Sequence, residues 1–123
     1  MRKNPAVWFE IYVQDMARAK QFYESVFQLK LGKINSPDTE MWGFPMDVAR
    51  FGASGSLVRM EGVPSGGNST VIYFICTDCA VEASRVAAAG GRIQKQKTSI
   101  GEYGFIALVF DTEGNMFGLH SMK

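Results

Sequence analysis

The stretch Val7-Trp8-Phe9-Glu10-Ile11-Tyr12-Val13-Gln14-Asp15-Met16-Ala17-Arg18-Ala19-Lys20-Gln21-Phe22-Tyr23-Glu24-Ser25-Val26 decides how this chain is read. Its first seven residues alternate. Val7, Phe9, Ile11 and Val13 point one way, and Trp8, Glu10 and Tyr12 point the other, as in a half-buried strand. Asp15 then stands where a helix N-cap belongs, its carboxylate able to accept from free backbone N–H groups. Ala19, Phe22, Tyr23 and Val26 follow at helical spacing and form one apolar stripe over about three turns. The aliphatic face of the strand is therefore expected to pack on that helix.

The pattern returns later with Asp78 in the place of Asp15. A β-rich run over 71–76 leads into a predicted helix over 80–89. Gly90-Gly91 ends it, since glycine accepts the left-handed conformation of a helix end. Apolar runs split by turns follow each helix. In the first half, 48–51, the turn Gly52-Ala53-Ser54-Gly55 and 56–60 read as a hairpin; in the second, 105–110, a turn over 111–114 and 115–121 read as another. Trp42-Gly43-Phe44 echoes Tyr103-Gly104-Phe105. Between the halves, 61–69 is rich in Gly, Ser and Pro and reads as a linker. The organisation is one α+β domain over 4–122, with a first module over 4–60 and a second over 70–122, each β-α-β-β-β. Neither module buries enough surface to be stable alone, so the two are expected to pack together.

Composition removes several classes of function. The 123 residues carry thirteen basic and twelve acidic side chains. That balance gives no basic stripe for nucleic acid and no acidic groove. Arg92, Lys95 and Lys97 read as a solvated face. No apolar run approaches the roughly 20 residues needed to span a bilayer. Glu10 interrupts the first apolar stretch and no small-residue cleavage site follows it, so no secretory leader is expected. Two cysteines without such a leader suit a reducing compartment, and the expected location is cytoplasmic. Cys76-Thr77-Asp78-Cys79 is a C-x-x-C at a strand-to-helix junction, where a helix N-terminus could activate a thiol. Parity points Cys76 at the helix-packing core, however, and the repeat aligns Cys79 with the apolar Met16, so a structural role is expected. Two cysteines also cannot complete a zinc site.

The strand followed by Val13-Gln14-Asp15-Met16, Arg18 and Phe22-Tyr23 resembles the opening module of the vicinal oxygen chelate superfamily, the glyoxalase/bleomycin resistance protein/dioxygenase group. Phe110-Asp111-Thr112-Glu113-Gly114-Asn115 is similar to that group's turn before its last strand. The resemblance covers 4–122. It implies two modules around a cup-shaped half-barrel cavity and, commonly, a homodimer. In metal-dependent relatives a histidine on the first strand, a histidine on the fifth and a carboxylate on the last hold a divalent ion. The matching positions are Trp8, Val71 and Gly118, and the fourth-strand ligand falls near residues 57–59. None offers a suitable donor, and the chain has one histidine. The resemblance thus implies the fold without the metal reaction, with no cofactor expected.

Parity then selects the side chains expected in the cup: Trp8, Glu10 and Tyr12 from the first strand, Met116 and His120 from the last, and Val71, Tyr73 and Ile75 from the fifth. Aligning the hairpins adds Arg59. Aromatic and apolar walls with a few polar groups make a small-molecule pocket. Glu10 is either a wet or Arg59-paired structural residue or a ligand-binding, proton-transferring group. His120 is either a satisfied strand residue or its catalytic partner. The expected function is metal-independent small-molecule binding. The rivals are a lyase or isomerase using Glu10 and His120, an antibiotic-sequestering resistance protein, and an interaction module whose cup is filled by its own side chains.

Overall fold

A computed structural model describes residues 4–123. The first module runs β1 (Trp8–Tyr12), α1 (Met16–Phe27), β2 (Gly32–Ile34), β3 (Glu40–Gly43) and β4 (Ser54–Arg59). The second runs β5 (Tyr73–Ile75), α2 (Cys79–Val86), β6 (Arg92–Ser99), β7 (Phe105–Phe110) and β8 (Met116–Ser121), with a short 3-10 turn over Gly101–Tyr103. This is the α+β fold with two βαβββ modules. Each module has a four-stranded sheet, ordered β1-β4-β3-β2 and β5-β8-β7-β6. In both, the first strand lies parallel to the last and the remaining pairs are antiparallel.

The N-caps form as the aspartates suggest. The Asp15 carboxylate accepts from Arg18 N at 3.1 Å and that of Asp78 from Ala80 N at 3.0 Å. α2 stops at Val86, three residues before the predicted end. Residues 87–90 form a turn, closed by Gly91 N donating to Val86 O, with Gly90 at φ +105. The strand expected over 48–51 does not form. The Asp47 side chain accepts from Ala49 N, and Arg50 N donates to Asp47 O, so this segment is a turn that leaves Val48 87% and Phe51 89% exposed. The strand of that hairpin is β3 instead. β5 is shorter than the predicted 71–76, although Gly118 N to Ile72 O and Cys76 N to His120 O, both 2.8 Å, extend its pairing to β8.

Both helices cover one face of the sheets, and the two modules share a core. Phe22, Tyr23 and Val26 of α1, Val86 of α2, Leu57 of β4, and Phe117 and Leu119 of β8 are almost wholly buried in it. Aromatic rings cross the seam between modules. Phe9 and Phe44 lie 5.8 and 5.5 Å from Phe74, and Tyr23 lies 5.4 Å from Phe117. Such pairs add about 0.5–1.5 kcal/mol each beyond area burial.

A polar clasp closes the same seam. In the β7–β8 turn, the Glu113 carboxylate, fully buried, accepts from Arg18 Nε at 2.7 Å, Arg18 Nη2 at 3.0 Å, Gln14 N at 2.8 Å and Asp15 N at 2.9 Å. Burial pushes this carboxyl up, but the bonds from Arg18, Asp15 N, Thr112 and Gln14 N outweigh it and hold its pKa at about 2. Asp111 accepts from Tyr23 Oη at 2.7 Å and from Glu113 N and Asn115 N. The turn of the second module therefore grips the first helix of the first.

Candidate ligand site

The face of the first sheet opposite α1 carries the alternate residues of β1. Tyr12 Oη donates to Glu10 Oε1 at 2.9 Å, and Trp8 Nε1 reaches Glu10 Oε2 at 3.4 Å. Residues two apart on a strand share a face, which is what lets both rings reach one carboxylate. The bond to Glu10 pushes the Tyr12 phenol above its ordinary pKa. No lysine or arginine among the described residues pairs with Glu10. Ser56, its register neighbour on β4, is fully buried, with its hydroxyl unpartnered among the described residues.

Glu10 and Tyr12 line a cleft of about 320 Å³ together with residues 64–70, Ile72, Asn115 and Met116, and its inner end reaches the core residues Ile11, Tyr23 and Phe117. Side chains pin the 64–70 segment. Asn68 Oδ1 accepts from Met116 N at 3.0 Å, and its Nδ2 donates to Met116 O at 2.7 Å and Thr70 O at 3.0 Å. Ser65 Oγ donates to Glu113 O and Gly66 N donates to Asn115 Oδ1, both at 2.7 Å. A larger depression of about 520 Å³ lies on the outer face of α1, along Lys20, Gln21, Glu24 and Gln28. Its walls are solvated polar side chains, whereas those of the smaller cleft are tied backbone, so the smaller one is the better-formed site.

Of the residues expected in the cup, Glu10, Tyr12 and Met116 meet in this cleft. Trp8, 39% exposed, touches it only through Glu10. Tyr73 is 49% exposed, its ring resting on Gly118. His120 is four residues beyond Met116 on β8, roughly 13 Å along the strand. Its Nε2 lies 2.6 Å from Tyr103 O. A carbonyl can only accept, so Nε2 is the donor in this contact. Glu10 and His120 thus do not share the cleft of one chain. Arg59 corrects the hairpin alignment. It lies two residues beyond the core residue Leu57 and shares that residue's face, whereas Val58 shares the face of Tyr12, and Arg59 Nε donates to Gln14 O at 3.2 Å instead. The Glu10–Arg59 pair does not form. Sequence reasoning missed Asn68, Ser65 and Ile72. The one available signal was Asn68 beside two glycines, a residue type that bonds backbone locally.

The residues at the relatives' metal positions do not fit a divalent ion. Trp8 and Val71 carry no suitable donor, and the Tyr73 ring occupies the space that a side chain at Gly118 would need. Among the described residues no three His, Cys, Asp or Glu side chains are grouped to hold a metal. Cys76 and Cys79 are buried free thiols. Burial, then the neighbouring Glu82 carboxylate, pushes Cys76 up to about 12, the reverse of what thiol chemistry requires. Two of the three basic side chains of β6 are engaged: Arg92 stacks 3.9 Å from the Phe110 ring centroid, and Lys97 Nζ bonds Asp78 at 2.9 Å.

Fold and motif agree with comparison to known proteins. The chain belongs to the Glyoxalase/Bleomycin resistance protein/Dioxygenase superfamily, whose model matches residues 6–119. A glyoxalase I mutant from Zea mays is similar over 96% of this chain, with 23% identity and a TM-score of 0.75. This chain covers 46% of the maize chain, about half its length. TnmS3, an antibiotic binding protein from Streptomyces, is similar over 98% of both chains, at 22% identity and a TM-score of 0.69. A family enzyme from Burkholderia phytofirmans gives 17% identity and a TM-score of 0.69 over 94% of this chain and 97% of its own. No curated protein matches the sequence. At these identities the structural likeness concerns the fold alone. Among the described residues no helix is long and apolar enough to cross a membrane.

Proposed function

We propose that this chain is a metal-independent small-molecule-binding protein, one domain over 4–122 that acts as a cytoplasmic homodimer. The observation that carries the binding reading is a cleft lined both by Glu10, a carboxylate without a cationic partner among the described residues, and by a segment pinned by Asn68. A concave cleft whose polar side chains are held in fixed orientations is a setting that can orient a small ligand. The donor-poor set at Trp8, Val71 and Gly118 supports metal independence. Two free cysteines support a reducing compartment.

The dimer reading rests on the open face of the sheets. Trp8, Tyr73 and Ile75 (85% exposed) are large apolar side chains left open to solvent on the sheets, and covering such side chains favours association. The maize relative's double length supports a second copy as the occupant. Such a copy could also bring its own His120 toward Glu10, which is the arrangement the lyase or isomerase reading requires. The likeness to TnmS3 along the full length of both chains favours sequestering an antibiotic as a second reading.

A thermal-shift screen of small metabolites and antibiotics at neutral pH tests the proposal. A true ligand raises Tm by mass action, the rise continuing as the logarithm of its concentration above Kd, and Glu10→Gln lowers that rise by more than it lowers the unliganded Tm. Equal shifts in parent and variant would move the site elsewhere, and turnover of the stabilising compound would favour the enzyme reading.

A further inference from the structure

The charge inside the cleft narrows the chemistry of what it takes. Among the described residues lining it, Glu10 is the one ionisable group with a formal charge at neutral pH. Both of its oxygens are already aimed, one by Tyr12 Oη and the other by Trp8 Nε1. An ionised carboxylate has about four lone-pair sites and these rings use two, so each oxygen can accept once more. The remaining lining is uncharged: Ile11, Tyr12, Tyr23, residues 64–70, Ile72, Asn115, Met116 and Phe117. No described lysine or arginine lines the cleft to receive a carboxylate or phosphate.

We infer that the cleft selects a small organic ammonium ion, a protonated amine on an aromatic or short aliphatic body, with the ammonium on Glu10. This rests on the cleft being the ligand site, as proposed above. Two rings hold the carboxylate before any ligand arrives, so little side-chain entropy is lost when the amine docks. The body packs on Tyr12 and Met116, whose ring face and polarisable sulfur both suit an aromatic group. The cleft volume of about 320 Å³ sits at the small end of ligand pockets, which fits a single ring with a short chain.

Three probes of one shape and different charge test the inference: 2-phenylethylammonium, 2-phenylethanol and 3-phenylpropionate. Each is titrated into the intact protein at neutral pH while the backbone amide resonances of Tyr12, Asn68 and Met116 are followed. The ammonium is expected to shift all three with a Kd at least about tenfold below that of the alcohol, and the carboxylate to shift none. In Glu10→Gln the ammonium and the alcohol should bind alike. The preference in the parent protein should also shrink as salt rises, a readout that needs no variant. Equal binding of ammonium and alcohol in the parent, or tighter binding of the carboxylate, overturns the ammonium assignment and leaves the cleft as a ligand site. If no probe of any charge moves the three amides, the ligand-site reading fails and the inference with it.

Discussion

The Tyr73 ring lies directly on Gly118. Tyr73 and Gly118 are register partners across the parallel β5–β8 pair, and a Cβ added at 118 would overlap the Cδ1 and Cε1 edge of that ring. The position where metal-dependent relatives carry a carboxylate is thus filled by a neighbouring side chain. Gly118→Ala is expected to destabilise the protein by about 1–3 kcal/mol through overpacking. Combined with Tyr73→Ala it should cost much less than the two changes summed, because the ring it collides with is gone. Urea denaturation of the four proteins in the cycle measures this coupling. Gly118→Glu alone should confer no stoichiometric zinc or nickel binding.

Glu113 governs stability at acid pH. Its folded pKa of about 2 lies below its ordinary 4.5. The stability it contributes is therefore fully present above about 4.5 and is lost as pH falls toward 2. Asp111 acts in the opposite sense, because burial raises its carboxyl and protonation there favours the fold. Glu113→Gln should cost about 2–4 kcal/mol at neutral pH, since it leaves Arg18 and two backbone donors without their charged acceptor. It should also flatten the fall of Tm between pH 4.5 and 2, which calorimetry at a series of pH values would show.

Cys76 should resist alkylation. With its thiol pushed up to about 12, almost none is thiolate at pH 8, and Cys79 is fully buried. Mass spectrometry after iodoacetamide treatment of the native protein is expected to find both cysteines unmodified, and both labelled once urea is added. Rapid native labelling would reopen the redox reading of the C-x-x-C.

The open sheet face should associate. Sedimentation equilibrium is expected to give about twice the chain mass. Ile75→Lys, a change at a side chain 85% exposed in the single chain, should shift the protein toward monomer without lowering its helix content. A parent protein that stays monomeric at high concentration would remove the homodimer from the proposal.

How legible this molecule was varied with the physical origin of each feature. β1 and α1 could be read because burial on one face imposes alternation on Phe9, Ile11 and Val13 and helical spacing on Phe22, Tyr23 and Val26. The repeat of Asp15 as Asp78 carried the two-module fold. β6, written Arg92-Ile93-Gln94-Lys95-Gln96-Lys97-Thr98-Ser99, has almost no apolar pattern, and its place is fixed by pairing with β7. The run at 48–51 has strand-like composition, but the Asp47 carboxylate competes for its backbone donors and turns it. Within the site, parity placed Glu10 and Tyr12 correctly on one face. It could not foresee that 64–70, in and next to a stretch rich in linker residues, would line the cleft, because that depends on hydrogen bonds that tie Asn68 and Ser65 to residues 48 positions away. Arg59 was misplaced because hairpin alignment fixes which residues pair only to within one position, and one position reverses the face.

The wall of the cleft and the clasp between modules are tied to each other through Ser65 on Glu113 and Gly66 on Asn115. A molecule that braces residues 64–70 therefore also braces the turn that grips α1, and by reciprocity any loosening of that turn weakens the hold on the molecule. Occupancy of the proposed site would become a load borne by the joint between the two halves of the chain.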